Sequence, residues 1–160
     1  MSGHGAAPIE PVDAAGLRVV VVAGLWHETI SAGLIAGAER VLEASGASWR
    51  VVRAPGSFEL PVAAKAALEA GADAVVALGV IIRGGTPHFE FVSSAATDGL
   101  TRVALDAGKP VGFGVLTLDD EQQGLDRAGL PGSREDKGAE AADAALRTAL
   151  LLRALREGFR

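Results

Sequence analysis

From Leu17 onward the chain alternates two hydrophobic rhythms. Leu17–Gly24, LRVVVVAG, is an unbroken β-branched run of the kind that forms a strand buried on both faces. Ile30, Leu34, Ala38 and Val41 or Leu42 then recur at helical spacing, and Ser45-Gly46 supplies a glycine stop. SWRVVRA (Ser48–Ala54) reads as a second strand broken by Pro55-Gly56, and Phe58–Leu68 as a short helix ending at Ala70-Gly71. DAVVALGVII (Asp73–Ile82) is the third and most apolar strand. After Gly84-Gly85 a helical stretch runs from about Pro87, a residue favoured in a first helical turn, to Ala107. PVGFGVLT (Pro110–Thr117) is a fourth strand whose glycines permit close backbone approach. Asp119-Asp120-Glu121 opens an acidic helix start reaching about Arg127, AGLPGSRED is a loop, and Lys137–Glu157 is a final helix. Four rounds of strand and helix predict an α/β domain with a parallel sheet and helices on both faces.

The final helix carries Ala144-Ala145-Leu146 and Ala149-Leu150-Leu151-Leu152, an apolar surface wider than one sheet face requires. Burial against a partner subunit is the expectation, with burial in the monomer core as the alternative. The first 16 residues hold two prolines, three glycines and no periodic apolar pattern, so residues 1–16 are expected to form an arm and 17–160 one domain.

Composition narrows the function classes. At 160 residues the chain suits one domain, and 49% hydrophobic with 22% charged residues is the balance of a globular protein. Cysteine is absent, which removes disulfides, thiol nucleophiles and cysteine-ligated metals, and suits a reducing cytoplasm. A net charge of -5 argues against nucleic acid or an anionic membrane as partner. The longest apolar run, Ala74–Ile82, is far short of the ~20 residues of a spanning helix. The N-terminus lacks the apolar core of a secretory signal, so a cytoplasmic location is expected.

Ligands of open parallel sheets gather outside the carboxyl ends of the strands. Here those ends carry Leu25-Trp26-His27, Gly56-Ser57-Phe58-Glu59, Arg83-Gly84-Gly85-Thr86-Pro87-His88 and Thr117. Gly84-Gly85-Thr86 before a helix start offers backbone N–H groups to an anion such as phosphate, with Thr86 as a hydroxyl donor or simply the helix N-cap. A P-loop is excluded because Gly85 stands where its lysine belongs, and no GxGxxG occurs. His88 beside this loop is the proton-transfer candidate, against a plain structural role. Trp26 either stacks on a planar heterocycle or packs half-buried. Glu59, within apolar SFELPV, needs a hydrogen-bonding partner, a polyol or a helix N-terminus. Arg127 and Lys137 flank the last loop, either as anion partners or as surface cations with no specific role. No set of histidines and carboxylates has metal-ligand spacing, so no metal is expected; His88-Phe89-Glu90 mimics the H-x-E of zinc deaminases without the cysteines they need.

PGSFELP (55–61), ALGVIIRGGTPHFEFV (77–92), GFGVLT (112–117) and DRAGLPGSREDKG (126–138), in this order and at these separations, resemble the lumazine synthase family. The resemblance implies a single-domain, flavodoxin-like three-layer α/β/α sandwich with a four-stranded parallel sheet. It implies condensation of 5-amino-6-(D-ribitylamino)uracil with 3,4-dihydroxy-2-butanone 4-phosphate, without cofactor or metal. By motif match, Trp26 would stack on the pyrimidine, Ser57, Phe58 and Glu59 would hold the ribityl chain, and the backbone of Val80, Ile81 and Ile82 would read the uracil ring. Gly85 and Thr86 would bind phosphate, completed by Arg127, with Lys137 lining the same pocket and His88 as proton donor. Gly85 departs from the alanine or glutamine often found there. Phe113 would reach into a neighbouring subunit's site.

The implied partners are the two small-molecule substrates, further copies of the chain in a pentamer, and riboflavin synthase as a functional neighbour. Some family members assemble further into sixty-subunit shells. The loop AGLPGSREDKG is about two residues longer than in those members, and Pro131 with Arg134-Glu135-Asp136 should push it outward, which predicts a free pentamer. The rival readings are a non-catalytic flavin- or lumazine-binding protein and a shell-forming protein on the same fold.

Overall fold

The computed structural model describes residues 4–159. Four parallel strands, β1 (Arg18–Gly24), β2 (Ser48–Ala54), β3 (Ala74–Ile82) and β4 (Val111–Leu118), form one sheet in the order β2-β1-β3-β4. The helices are α1 (Glu28–Ala44), α2 (Leu60–Glu69), α3 (His88–Ala107), the short α4 (Glu121–Leu125) and α5 (Lys137–Glu157). This is a flavodoxin-like strand order in a three-layer α/β/α sandwich.

Alternation along the strands sorts the core into two layers. Val19, Val21 and Ala23 of β1, with Val76 and Leu78 of β3, face α1 and α5, where Leu34, Leu42 and Leu146 complete one cluster. Val20, Val22, Val75 and Ala77 face the other way onto Leu60 and Leu68 of α2 and Leu100 of α3. The unbroken apolar runs of the sequence reflect strands covered on both faces. A Cβ at Gly112 of β4 would collide with the Ala141 carbonyl oxygen of α5, so its glycine does let backbone approach closely.

Three expectations need correction. The stretch from Phe58 is not one helix: Ser57–Glu59 forms a single 3-10 turn and α2 begins at Leu60, with Pro61 in its first turn. The apolar surface of α5 is largely used within the chain, since Gly138, Ala139, Ala141, Ala142, Ala145, Leu146 and Ala149 are all buried; Leu151 and Leu155 alone among its large hydrophobics are clearly exposed. The more open helix is α3, where only Ala96 and Leu100 are buried and Phe91 is 72% exposed. Finally, the loop before α5 is not driven outward by its charges. Asp136 turns inward to pair with Arg40 of α1 and to cap α5 by accepting from the Ala139 N–H at 3.0 Å, while Glu135 pairs with Lys137. Pro131, Gly132 and Arg134 remain exposed.

Before β1, Ala14 is fully buried and its N–H donates to the Ser45 carbonyl, and the Val12 N–H donates to Ser45 Oγ. The end of the N-terminal segment is thus tied to the C-terminus of α1; residues 1–3 lie outside the described residues. No helix among the described residues is long and apolar enough to cross a membrane.

Candidate active site

The strand order reverses between β1 and β3, and the crevice at the carboxyl ends of these strands is where a sheet of this kind binds ligands. A cavity of about 340 Å³ opens there. Its size is that of a small-molecule site. Trp26 and His27 bound it from the end of β1, Gly56–Glu59 from the end of β2, Val80–Ile82 from β3, and Gly84, Thr86, His88, Phe89 and Val92 from the start of α3.

Each wall has a local cause. Trp26, 68% exposed, stands out from the β1–α1 turn, with its ring tilted at 43° to the His27 imidazole. Gly56 lets the next wall close in, because a Cβ there would lie 3.3 Å from both Trp26 Nε1 and Glu59 Oε2. Gly79 does the same on β3, where a Cβ would press on Ser57 Oγ at 2.6 Å. Glu59 occupies the N-cap position of α2 but in helical backbone geometry, and its side chain makes no capping bond. N-caps that bond their helix have extended backbone, so this carboxylate is left to the cavity. The helix-terminus alternative for Glu59 is therefore not realised.

The Gly84–Thr86 loop is open. Gly84 and Gly85 have no atom within 4 Å of a Cβ position, and neither has a left-handed φ. Pro87, not Thr86, is the N-cap of α3, and Thr86 Oγ1 accepts weakly from the His88 N–H at 3.4 Å. Arg83 braces this loop: it bonds Asp119 after β4 at 3.0 Å and Glu90 in the first turn of α3, and lies 4.2 Å over the Phe89 ring. Hydrogen bonds to Asp119 and Glu90 raise the Arg83 pKa, and the same bonds lower those of both carboxyls.

Trp26, Ser57, Phe58, Glu59, Val80, Ile81, Ile82, Thr86 and His88 are thus brought together. Four expected residues are not. Gly85 belongs to the loop without lining the cavity. Phe113 sits on β4 opposite Ala77 of β3 and is 47% exposed, away from the cavity wall. Arg127 donates to the Gln123 carbonyl at the end of α4. Lys137 is engaged by Glu135 and Glu140; burial alone would lower its pKa, but those two carboxylates outweigh it and raise it. His27 and Gly56 lie at the strand ends that the sequence marks, without a role given to either, and sequence reasoning placed neither Phe89 nor Val92 at the site. The last two were accessible from helical spacing, since Val92 follows His88 by one turn. Among the described residues no group of three or more His, Asp or Glu converges to hold a metal ion.

Residues 16–153 match the family model of 6,7-dimethyl-8-ribityllumazine synthase. The chain belongs to the 6,7-dimethyl-8-ribityllumazine synthase family. Similar proteins of that name include one from Leifsonia xyli subsp. xyli, 80% identical over 98% of this chain and 99% of its own length. Another, from Clavibacter michiganensis subsp. michiganensis, is 73% identical over 98% and 99% of the two chains. A third, from Kineococcus radiotolerans, is 64% identical over 96% and 95%. As a member of the lumazine synthase family the chain is an enzyme, a transferase of riboflavin biosynthesis.

Proposed function

We propose that this chain condenses 5-amino-6-(D-ribitylamino)uracil with 3,4-dihydroxy-2-butanone 4-phosphate to give 6,7-dimethyl-8-ribityllumazine, phosphate and water. What carries the reading is one cavity that joins an aromatic wall, a carboxylate and an anion loop, Trp26, Glu59 and Gly84–Thr86, in a chain of this family. The indole stacks on the pyrimidine, the Glu59 carboxylate accepts from ribityl hydroxyls alongside Ser57 and Phe58, and backbone groups of Val80–Ile82 read the ring. The phosphate rests on N–H groups of Gly85 and Thr86 at the start of α3. The substrate amine attacks the ketone and an imine forms with loss of water. Phosphate leaves by elimination, the resulting enol tautomerises to a carbonyl, and the ribityl-bearing nitrogen attacks that carbonyl to close the ring with loss of another water. His88 shuttles protons between these steps. Holding the two reactants side by side supplies the larger part of the acceleration, up to ~7–11 kcal/mol. Proton transfer by His88 adds roughly a hundred- to ten-thousandfold.

Phe113 and Arg127, which do not line the cavity of their own chain, act in that of a neighbouring copy, and Lys137 borders the shared site. The copies form a pentamer, and the product passes to riboflavin synthase in the cytoplasm. Mixing the two substrates with the protein and following lumazine fluorescence tests the reaction: no lumazine above the uncatalysed rate refutes it and favours a binding protein. With Asp136 and Glu135 turned to partners in the chain, the length of the last loop and its exposed Pro131, Gly132 and Arg134 are what still support a free pentamer; in sedimentation a megadalton particle refutes it and a monomer refutes the shared site.

A further inference from the structure

The β1–α1 turn, which presents Trp26 and His27 to the cavity, is held under strain by a side chain that lines no part of it. His27 has φ 56° and ψ 67°, the one non-glycine left-handed residue among those described. A residue with a Cβ keeps that conformation only where its surroundings over-determine it. They do so on both sides. Upstream, the Leu25 N–H donates to the Ala54 carbonyl at 3.0 Å. The Gly24 carbonyl accepts from the buried Ser31 hydroxyl at 3.1 Å and from Arg53 Nη2 at 2.9 Å. Downstream, the same guanidinium nitrogen reaches Ser31 Oγ at 3.2 Å and the Glu28 carboxylate at 3.0 Å, and the Ser31 N–H donates to the His27 carbonyl at 2.9 Å. Arg53, on edge strand β2, therefore spans the turn from the last residue of β1 to the first turn of α1.

We propose that Arg53 is a positioning residue that holds the strained Trp26-His27 turn in place and so presets the aromatic wall for a planar ring. The two Nη nitrogens grip the Glu28 carboxylate side by side, at 3.5 and 3.0 Å, while Nη2 also reaches Gly24 and Ser31, a planar two-pronged contact that the single nitrogen of a lysine ammonium cannot reproduce. With the fork gone, only the Ser31 bonds still tie the end of β1 to α1, so His27 relaxes toward ordinary backbone more often and the indole loses its fixed orientation. The substrate side of this inference rests on the function proposed above; the motion of Trp26 does not.

The experiment uses a Trp49→Phe background, which leaves Trp26 as the only tryptophan of the chain's two. Arg53→Met keeps the apolar stem and removes the fork. It should enlarge the sub-nanosecond part of the Trp26 anisotropy decay and raise KM for the ribitylaminouracil about three- to tenfold. Both kcat and KM for the phosphorylated ketone should stay within about twofold, with unchanged circular dichroism. Arg53→Lys should fall between the two. An unchanged Trp26 decay in Arg53→Met, or equal losses in both KM values and kcat, overturns the proposal. If Arg53→Met does not fold, Arg53→Lys decides: an intermediate Trp26 decay supports the fork, and one identical to the Trp49→Phe parent overturns it. Should the parent form no lumazine, the proposed function fails, and the Trp26 decay still decides the role of Arg53.

Discussion

Replacing Glu59 separates binding from folding. Its carboxylate lines the cavity yet makes no capping bond to α2. Apart from its packing, it stabilises the fold through its negative charge near the helix N-terminus, ~0.3–1 kcal/mol. For a chain of this length that is a loss of at most about 2–4 °C in Tm. A hydrogen bond from a substrate hydroxyl to an ionised carboxylate contributes about 1.5–3 kcal/mol. Glu59→Ala should therefore raise KM for the ribitylaminouracil about ten- to a hundredfold, at ~1.4 kcal/mol per decade. Glu59→Gln keeps a neutral acceptor, so its loss should be roughly a few-fold. KM for the phosphorylated ketone, bound at the other end of the cavity, should not move. Initial rates of lumazine fluorescence with each substrate varied in turn, beside calorimetric melting, give all of these quantities. A pyrimidine KM within about twofold of the parent in Glu59→Ala would refute the reasoning, as would a large fall in Tm with both KM values rising together.

His88→Ala should lower kcat with the pyrimidine KM nearly unchanged, and an unchanged kcat removes it from the proton transfers. Arg127→Ala should weaken the phosphorylated ketone roughly ten- to a hundredfold and spare the pyrimidine; equal weakening of both, read from steady-state kinetics, would mean that it acts through folding or assembly. Gly85→Ala meets open space without a left-handed φ, so it should raise Tm slightly, ~0.4–1 kcal/mol through the unfolded chain. Gly138→Ala drives a Cβ into the backbone of Leu34 and should cost about 1–3 kcal/mol or more despite better helix propensity; calorimetry should show opposite signs. Burial tends to raise the Asp73 pKa, but the Arg18 backbone and side-chain bonds outweigh it and hold it below 3.8. Its contribution is then present above about pH 4 and lost as pH falls through the depressed native value. Asp73→Asn should lower stability at pH 7, and the difference should shrink in acid denaturation midpoints below about pH 4.

The strands were legible because β1, β3 and β4 are dense apolar runs and the shorter run of β2 is closed by Pro55-Gly56, and β2 and α5 span the residues that the pattern predicts. The break at Ser57–Glu59 was not, because SFELPV is apolar at helical spacing throughout. Pro61 has no N–H to give, and the preceding residues turn tightly instead. Strand ends pointed to nine of the residues that line the cavity. The fate of Lys137 depended on which carboxylates the loop brings to it, and local sequence could not choose between Glu135, Glu140 and a ligand. His27 gave no sign of its left-handed backbone, since glycine or asparagine is the usual marker. Arg53 and Arg83 were equally silent, because their partners come from other elements.

The charges around the cavity are a reason to expect a second chain in the proposed site. A phosphate at the Gly84–Thr86 loop is a dianion, yet no arginine or lysine lines the cavity, whose titratable groups are His27, Glu59 and His88. Arg83 is the cation nearest in sequence, but Asp119 and Glu90 already occupy it, so the cluster as a whole is anionic by one charge. Backbone N–H groups alone contribute only fractional charge at a helix start. A cation supplied from outside the chain would offset the Glu59 carboxylate and the phosphate together. The chain also has apolar surface to bring one, since α3 buries only two residues and leaves Phe91 exposed, as is Phe113 of β4. Cation deficit and uncovered helix have separate causes, electrostatic and hydrophobic, and the second copy proposed above would relieve both if it brought Arg127 to the loop.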